Sequence, residues 1–475
     1  MRRSGILLPV FSLYGDYGIG TLGSAAYDFV DFLSRSGQYY WQILPLNPTA
    51  YGNSPYQSPS VFAGNPYFID PDLLSKDGLI SKKDADAHKS ENTGKIDYGR
   101  LFQKRMQLLK KAAEAIDDKD NAYQAFTEQS AFWLGDYGAF MAMKERNGML
   151  PHHMWTEKIT NITQASLEGI IHCKIQFLFH RQWISLKKYA NTKGVHIIGD
   201  LPIYPSRDSS DYYFGRDNFI AGEAAACPPD FFNANGQLWG NPVYDWDKME
   251  QNGFIWWKQR LRQAAELFDT VRIDHFRGIY EYYSVKEGSS SAINGKWHKG
   301  PGMTFVKMIR EHFPNLDIIA EDLGFLTQGA KSFFKESGFD GMKILQFAFE
   351  GDDSEYLPHN YNENSVAYTG THDNPTVIEW QCKASCRELK KAMDYLGASN
   401  TQLLCDGFIR GVLSSVCKRA IIPLPDWLHQ GCTARINTPG SVGNNWIYRI
   451  KETDLSHNLS EKILYYTKLY NREKE

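Results

Sequence analysis

A chain of 475 residues, 42% hydrophobic and 23% charged, has an ordinary globular composition rather than that of a disordered or fibrous protein. A formal net charge of −3, with no run of Lys and Arg, excludes the electrostatic footprint of a nucleic-acid binder or an anionic-surface binder. The aromatic share is high at 14%, with 12 Trp and 27 Tyr, side chains whose flat faces and polar tips suit stacking on sugar rings as well as core packing.

In chain order, the apolar run after Met1-Arg2-Arg3-Ser4-Gly5 is cut short by Gly15 and Asp16, too soon for a secretory leader. No stretch is long enough to span a bilayer, so a cytoplasmic protein without a membrane partner is expected. Strand-like segments at 5–10 and 39–46 come first. Residues 47–194 then form a long insertion with helices expected around 101–116, 121–147 and 165–192. A strand at 195–204 leads into 205–253, rich in Pro, Gly, Asn and aromatics, which reads as a long ordered loop. In the next stretch Phe254, Trp257, Leu261, Ala264 and Phe268 fall at spacings of three and four, one apolar helical stripe. Strands follow at 270–276, 316–322, 342–349, 366–373 and 419–424, with helical stripes at 302–313, 386–396 and 401–417 between them. A polar helix near 457–470 ends the chain, with no trailing β-domain.

Eight strand-like segments alternating with helices predict an α/β fold, a (β/α)8 TIM barrel. Residues 1–475 read as a single catalytic domain, in which 47–194 is a helical subdomain and 205–253 an active-site loop region. The seven Cys are scattered without a C-x-x-C pair, and the one adjacent His pair, His152-His153, has no carboxylate-rich partner motif. Neither a metal nor another cofactor is called for.

The segment "VRIDHFRGIY" raises the functional question. On a strand, Arg272 and Asp274 share one face and Val271 and Ile273 the other. A charge pair on a buried face is either a structural ion pair or part of a site. Other strand ends separate the two: "LDIIAED" ends at Glu321 and Asp322, "VAYTGTHD" at His372 and Asp373, and "VHIIGDLPIY" carries Asp200. Barrel active sites lie at the C-terminal strand ends, and like charges gathered there need a functional reason. Paired carboxylates without a metal motif suit glycoside chemistry. Asp274, beside Arg272, is the candidate nucleophile. Glu321, after Ile318-Ile319-Ala320, is the candidate general acid, its pKa raised by an apolar setting. Asp373, helped by His372, would bond the hydroxyls of the reacting ring.

With these residues in place, the chain resembles the 4-α-glucanotransferases known as amylomaltases or disproportionating enzymes, relatives of the α-amylases. The resemblance runs nearly end to end, through "YGIGTLG", "WQILPLNPTAYGNSPYQSPSVFAGNPYFID", "GDLPIY", "PPDFFNANGQLWGNPVYDW", "RIDHFRG", "AINGKWHKGPG", "IIAEDLG", "GMKILQFAFEGD", "GTHDN" and "ARINTPGSVGNNW". It implies Asp274 as nucleophile, Glu321 as acid/base and Asp373 as transition-state stabiliser. It also implies sugar contacts at Ser54, Tyr56, Asp230, Gln237, Trp239, Arg272, His372 and Asn437. The implied activity is transfer of α-1,4-glucan segments, with retention through a covalent glycosyl-enzyme, from maltooligosaccharides, amylose, starch or glycogen to an acceptor glucan or glucose. An α-1,4-glucan hydrolase using the same carboxylates is the alternative. The chain departs from the pattern at Pro9, Val10 and Tyr14, and at Pro425 in "LPDWLHQGCTARIN". The latter element borders the substrate groove in the family, so it bears on donor and acceptor preference rather than on the chemistry.

Overall fold

The computed structural model describes residues 2–473 except 51, 160–161, 230–233, 325 and 352–353, and leaves the side chains of 162 and 163 undescribed. Its strands in chain order are β1 (Arg3–Leu7), β2 (Tyr40–Gln42), β3 (His196–Leu201), β4 (Phe219–Cys227), β5 (Gln237–Tyr244), β6 (Thr270–Ile273), β7 (Glu281–Lys286), β8 (Lys296–Lys299), β9 (Asp317–Ala320), β10 (Gly341–Ile344), β11 (Ser365–Tyr368) and β12 (Arg419–Pro423). Eight of them pair in parallel in the order β10-β11-β12-β1-β2-β3-β6-β9. A single parallel bridge, Ile319 with Asp340, spans the remaining gap, where the Ala320 N–H donates to the Asp340 carbonyl at 2.9 Å. The sheet is therefore a (β/α)8 barrel, and each of its strands lies within or beside one of the expected segments.

The strands are shorter than the apolar runs that announce them. The run at 342–349 supplies β10 and then a 3-10 turn over Leu345–Phe349. The barrel strands span only three to six residues. The stripe expected over 254–268 is the helix Ile255–Leu267, and Phe254, Trp257, Leu261, Ala264 and Phe268 are all buried.

The 47–194 stretch carries helices where they are expected. The expected helix at 121–147 is two, Asn121–Gln129 and Leu134–Arg146. Helix Leu134–Arg146 crosses the long helix Ile162–Thr192 at a pair of glycines: a Cβ on Gly169 would lie 2.3 Å from the Gly138 carbonyl carbon. Backbones this close admit no side chain, which offsets the roughly 1 kcal/mol that glycine costs inside a helix.

Residues 205–253 differ from the ordered loop expected of them. They carry β4 and β5, which join β7 and β8 in a four-stranded antiparallel sheet of order β5-β4-β7-β8. Half of this sheet comes from 281–299, so its pairing is long-range. Its segments, "FIAGEAAAC" and "QLWGNPVY", carry Gly, Ala and Pro that weaken a strand pattern locally.

β3 packs tightly against the helix stripe: a Cβ on Gly199 would stand 2.2 Å from Cγ of Phe268. Gly199→Ala is expected to destabilise the fold by about 1–3 kcal/mol through overpacking, read as a lowered denaturation midpoint.

Candidate active site

Two adjacent strands set the charge arrangement in the barrel mouth. Asp200 of β3 stands opposite Arg272 of β6 in the parallel register, so both side chains share one face. The Arg272 guanidinium donates from Nη1 to Asp200 Oδ1 and Oδ2 at 2.7 and 2.8 Å, and its Nη2 lies 2.9 Å from Asp274 Oδ1. Arg272 and Asp200 are buried, while Asp274 keeps part of its surface open. Burial works against a charge on Arg272, but the carboxylates of Asp200 and Asp274 outweigh it and raise the pKa well above the usual guanidinium value. The pair on the strand face is thus a triad, with Asp274 at its solvent-facing end.

Backbone bonds carry the ladder one residue past the strands. The Asp274 N–H donates to the Leu201 carbonyl at 3.0 Å, and the Glu321 N–H to the Ile273 carbonyl at 3.1 Å. Both acids are thereby tied to the barrel rim. The Glu321 carboxyl accepts from the His275 N–H at 2.6 Å and from the Leu323 N–H at 2.9 Å. Burial, then the charge of Asp274, push its pKa up to about 7, against the opposing pull of Arg272 and the two N–H donors. The expectation of an acid raised by its apolar setting agrees with this ordering of causes.

On the opposite wall the Tyr56 hydroxyl lies 2.7 Å from Asp200 Oδ2 and 2.9 Å from His372 Nε2. Burial, then Asp200, hold its pKa well above the ordinary phenol value, so it has one proton to give. Donating that proton to Asp200 leaves the phenol oxygen to accept from His372, which assigns a proton to His372 Nε2. The Tyr56 and His372 rings stack at 5.4 Å, and Trp446 tilts against both. His372 Nε2 is 3.4 Å from Asp373 Oδ1, and Asn437 Nδ2 donates to the same oxygen at 2.6 Å. Arg435 Nη2 holds the Asp373 carbonyl at 2.9 Å. Asn437 thus orients Asp373 with its amide.

Trp239 arrives on β5. Its Nε1 donates to Gln237 Oε1 at 3.2 Å, and its ring meets the His275 ring edge-on at 4.8 Å. Gln57, beside Tyr56, donates to Asn241 Oδ1 at 2.9 Å and so ties the Tyr56 loop to β5. Ser54 Oγ accepts the Tyr56 N–H at 3.2 Å and shapes that loop. Asp230 lies outside the described residues. The hydrogen bonds and ring contacts thus link Ser54, Tyr56, Arg272, His372, Asp373 and Asn437 in one network, and Gln237, Trp239, Asp274 and Glu321 join it through Gln57, Arg272 and His275.

Three participants carried no role in the sequence reading. Asp200 was visible there only as one more strand-end acid, because its pairing with Arg272 depends on strand register. His275 and Trp446 both adopt left-handed backbone, with φ of 48° and 65°, which nothing in the local sequence signals.

Arg272→Met would leave Asp200 buried without its counter-charge. A loss of about 3–5 kcal/mol is expected at pH 7. The deficit should shrink as the pH falls and Asp200 takes a proton, which denaturant melts at pH 5 and 7 would show.

The sequence profile of the 4-alpha-glucanotransferase family matches residues 8–455. A 4-alpha-glucanotransferase of Clostridium butyricum is 44% identical over 485 residues, covering 98% of this chain and 100% of that protein. One from Thermus thermophilus is 40% identical over 483 residues, covering 96% of each. Among solved structures, the amylomaltase of Streptococcus agalactiae in complex with acarbose matches with a TM-score of 0.96 at 36% identity, with 100% of each chain covered. The Corynebacterium glutamicum amylomaltase, at 17% identity and a TM-score of 0.79 over 100% of this chain and 75% of that one, shares the fold. With its profile matched over residues 8–455 and several members matched over nearly the full length, the chain belongs to the 4-alpha-glucanotransferase family.

Proposed function

We propose that the chain transfers α-1,4-glucan segments from a donor to the 4-hydroxyl of an acceptor glucan or glucose, by double displacement through a glycosyl-enzyme on Asp274. The observation that carries this reading is the divergent setting of two neighbouring carboxyl groups. Asp274 is ion-paired with Arg272 at 2.9 Å, while Glu321 is raised to about 7. Two such acids supply a nucleophile and a proton donor at the same pH.

In the first step Asp274 attacks the anomeric carbon, the glycosidic bond breaks, and the Glu321 proton passes to the leaving oxygen. Forming the ester removes the Asp274 charge, one of the two causes that raise Glu321, so the Glu321 carboxylate is favoured just when a base is needed. In the second step it takes the proton of the acceptor 4-hydroxyl as that oxygen attacks the same carbon and releases Asp274. The two inversions give net retention. Asp373, oriented by Asn437 and adjoined by His372, bonds ring hydroxyls of the reacting sugar. Tyr56 and Trp239 offer ring faces, Ser54, Gln237 and Arg272 complete the polar lining, and the family resemblance implies a further sugar contact at Asp230. Residues 1–475 act as one catalytic barrel in this reading, with 47–194 and 205–253 as insertions. Among the described residues no helix is long and apolar enough to cross a membrane. We take the cytoplasm as the working compartment.

Glu321 must be protonated for the first step, and its raised pKa keeps it so up to about 7. kcat/KM for an oligosaccharide donor should therefore fall as pH rises through that value. Glu321→Gln should lower turnover of maltotriose by about 10²–10⁴-fold. The same variant should still be glycosylated by α-maltosyl fluoride, whose leaving group needs no proton, whereas Asp274→Asn should fail with both donors. If Glu321→Gln is no better with the fluoride than with maltotriose, the acid/base assignment is wrong.

Transfer rather than hydrolysis is read from the products. Two maltotriose molecules should yield maltopentaose and glucose, with total reducing ends nearly constant over time. Reducing ends that climb in step with substrate loss, with no chain longer than maltotriose, would show a hydrolase instead.

A further inference from the structure

His275 follows Asp274 and is placed in none of the roles above, yet it touches both working parts of the site. Its φ of 48° lies in the left-handed region, which side chains other than glycine rarely adopt. Holding a residue there costs on the order of 1–3 kcal/mol, and such outliers gather at functional sites. Glycine would make the turn with less strain, so the side chain has a use of its own. The backbone conformation aims the His275 N–H at Glu321 Oε2, 2.6 Å away. The ring meets the Trp239 indole edge-on, with centroids 4.8 Å apart and planes at 88°.

We propose that His275 is a positioning residue that joins the sugar-stacking loop to the acid/base: its N–H orients the Glu321 carboxyl while its ring braces Trp239. A glucan seated on Trp239 and the proton on Glu321 are thereby held in one geometry. This rests on Glu321 being the acid/base, as read above. The groups facing the Glu321 carboxyl are Asp274, Arg272 and Tyr356, together with the N–H donors of His275 and Leu323. Those facing the His275 ring are Asp274 and Arg277. Burial lowers the His275 pKa to about 4, so the ring braces Trp239 as a neutral imidazole across the working pH range and adds no charge beside Glu321.

The two contacts are separable because one comes from the backbone and one from the ring. Asparagine tolerates left-handed backbone, so His275→Asn keeps the N–H bond and loses the ring. It should raise KM for maltotriose about two- to tenfold, the scale of one aromatic contact, and leave the basic limb of kcat/KM in place near pH 7. Valine resists φ near 48° because its branched Cβ crowds the backbone. His275→Val should draw the N–H away from Glu321, move the basic limb to higher pH and lower kcat, because that bond favours the carboxylate. Should the valine variant not fold, a double-mutant cycle of His275→Asn with Trp239→Ala decides alone: a shared contact requires the two KM effects to be less than multiplicative. Multiplicative effects would overturn the brace. A limb that stays put in a folded His275→Val, or moves in His275→Asn, would overturn the backbone role. A wild-type profile with no basic limb near pH 7 would instead overturn the assignment of Glu321 itself.

Discussion

At the mouth of the barrel the Arg272 guanidinium reaches Asp200 with one nitrogen and Asp274 with another. A buried carboxylate and a buried guanidinium each lose several kcal/mol of solvation, and either alone would be untenable there. Together they make a fixed buried ion pair, and the second guanidinium nitrogen faces Asp274 at the open end. The rest of the site is arranged from this anchor outward. Tyr56 completes the coordination of Asp200, His372 completes that of Tyr56, and Trp446 covers both rings. The anchor exists because β3 and β6 are neighbours in register, with Asp200 opposite Arg272.

The two ends of the barrel use charge differently. At the N-terminal end Arg419 of β12 bonds to Asp317 and Asp340 and lies over the Tyr40 ring. Among the described residues these charges are paired with one another, and they tie β12 to the ends of β9 and β10 beside the seam that one bridge closes. At the C-terminal end the carboxyl groups outnumber the cations between them. Asp274 has the guanidinium beside it, whereas Glu321 has two backbone N–H donors and burial. That inequality gives two chemically similar groups different settings, one ion-paired and the other with its pKa raised.

The antiparallel sheet is the other structural investment. It lies outside the barrel, yet it delivers Gln237 and Trp239 to the mouth, and Gln57 bonds it to the Tyr56 loop through Asn241. Aromatic surface at the mouth is thus built from a loop and a strand distant in sequence. His275 sits where this sheet meets the barrel strand that carries Asp274.

Much of this was legible in the amino-acid sequence. Strand-and-helix alternation specified the barrel because a parallel strand buried on both faces must be apolar and must be followed by a crossover. The acids at 274, 321 and 373 stood out because their place just past apolar runs marks the C-terminal rim. The helices at 98–114, 134–146 and 162–192 fall where they are expected, and the motifs carried the family resemblance. Tertiary structure alone decided the rest. The β4–β7 ladder that joins the two halves of the β5-β4-β7-β8 sheet pairs segments dozens of residues apart, which leaves no local period to read. The pairing of Asp200 with Arg272 depends on strand register. The raised pKa of Glu321 depends on its burial and on the charges and N–H donors around its carboxyl. The left-handed turn at His275 follows from closure of the loop between a strand and a helix. Residue type sets what a side chain can do, but burial and proximity, which exist only in the folded chain, decide what it does.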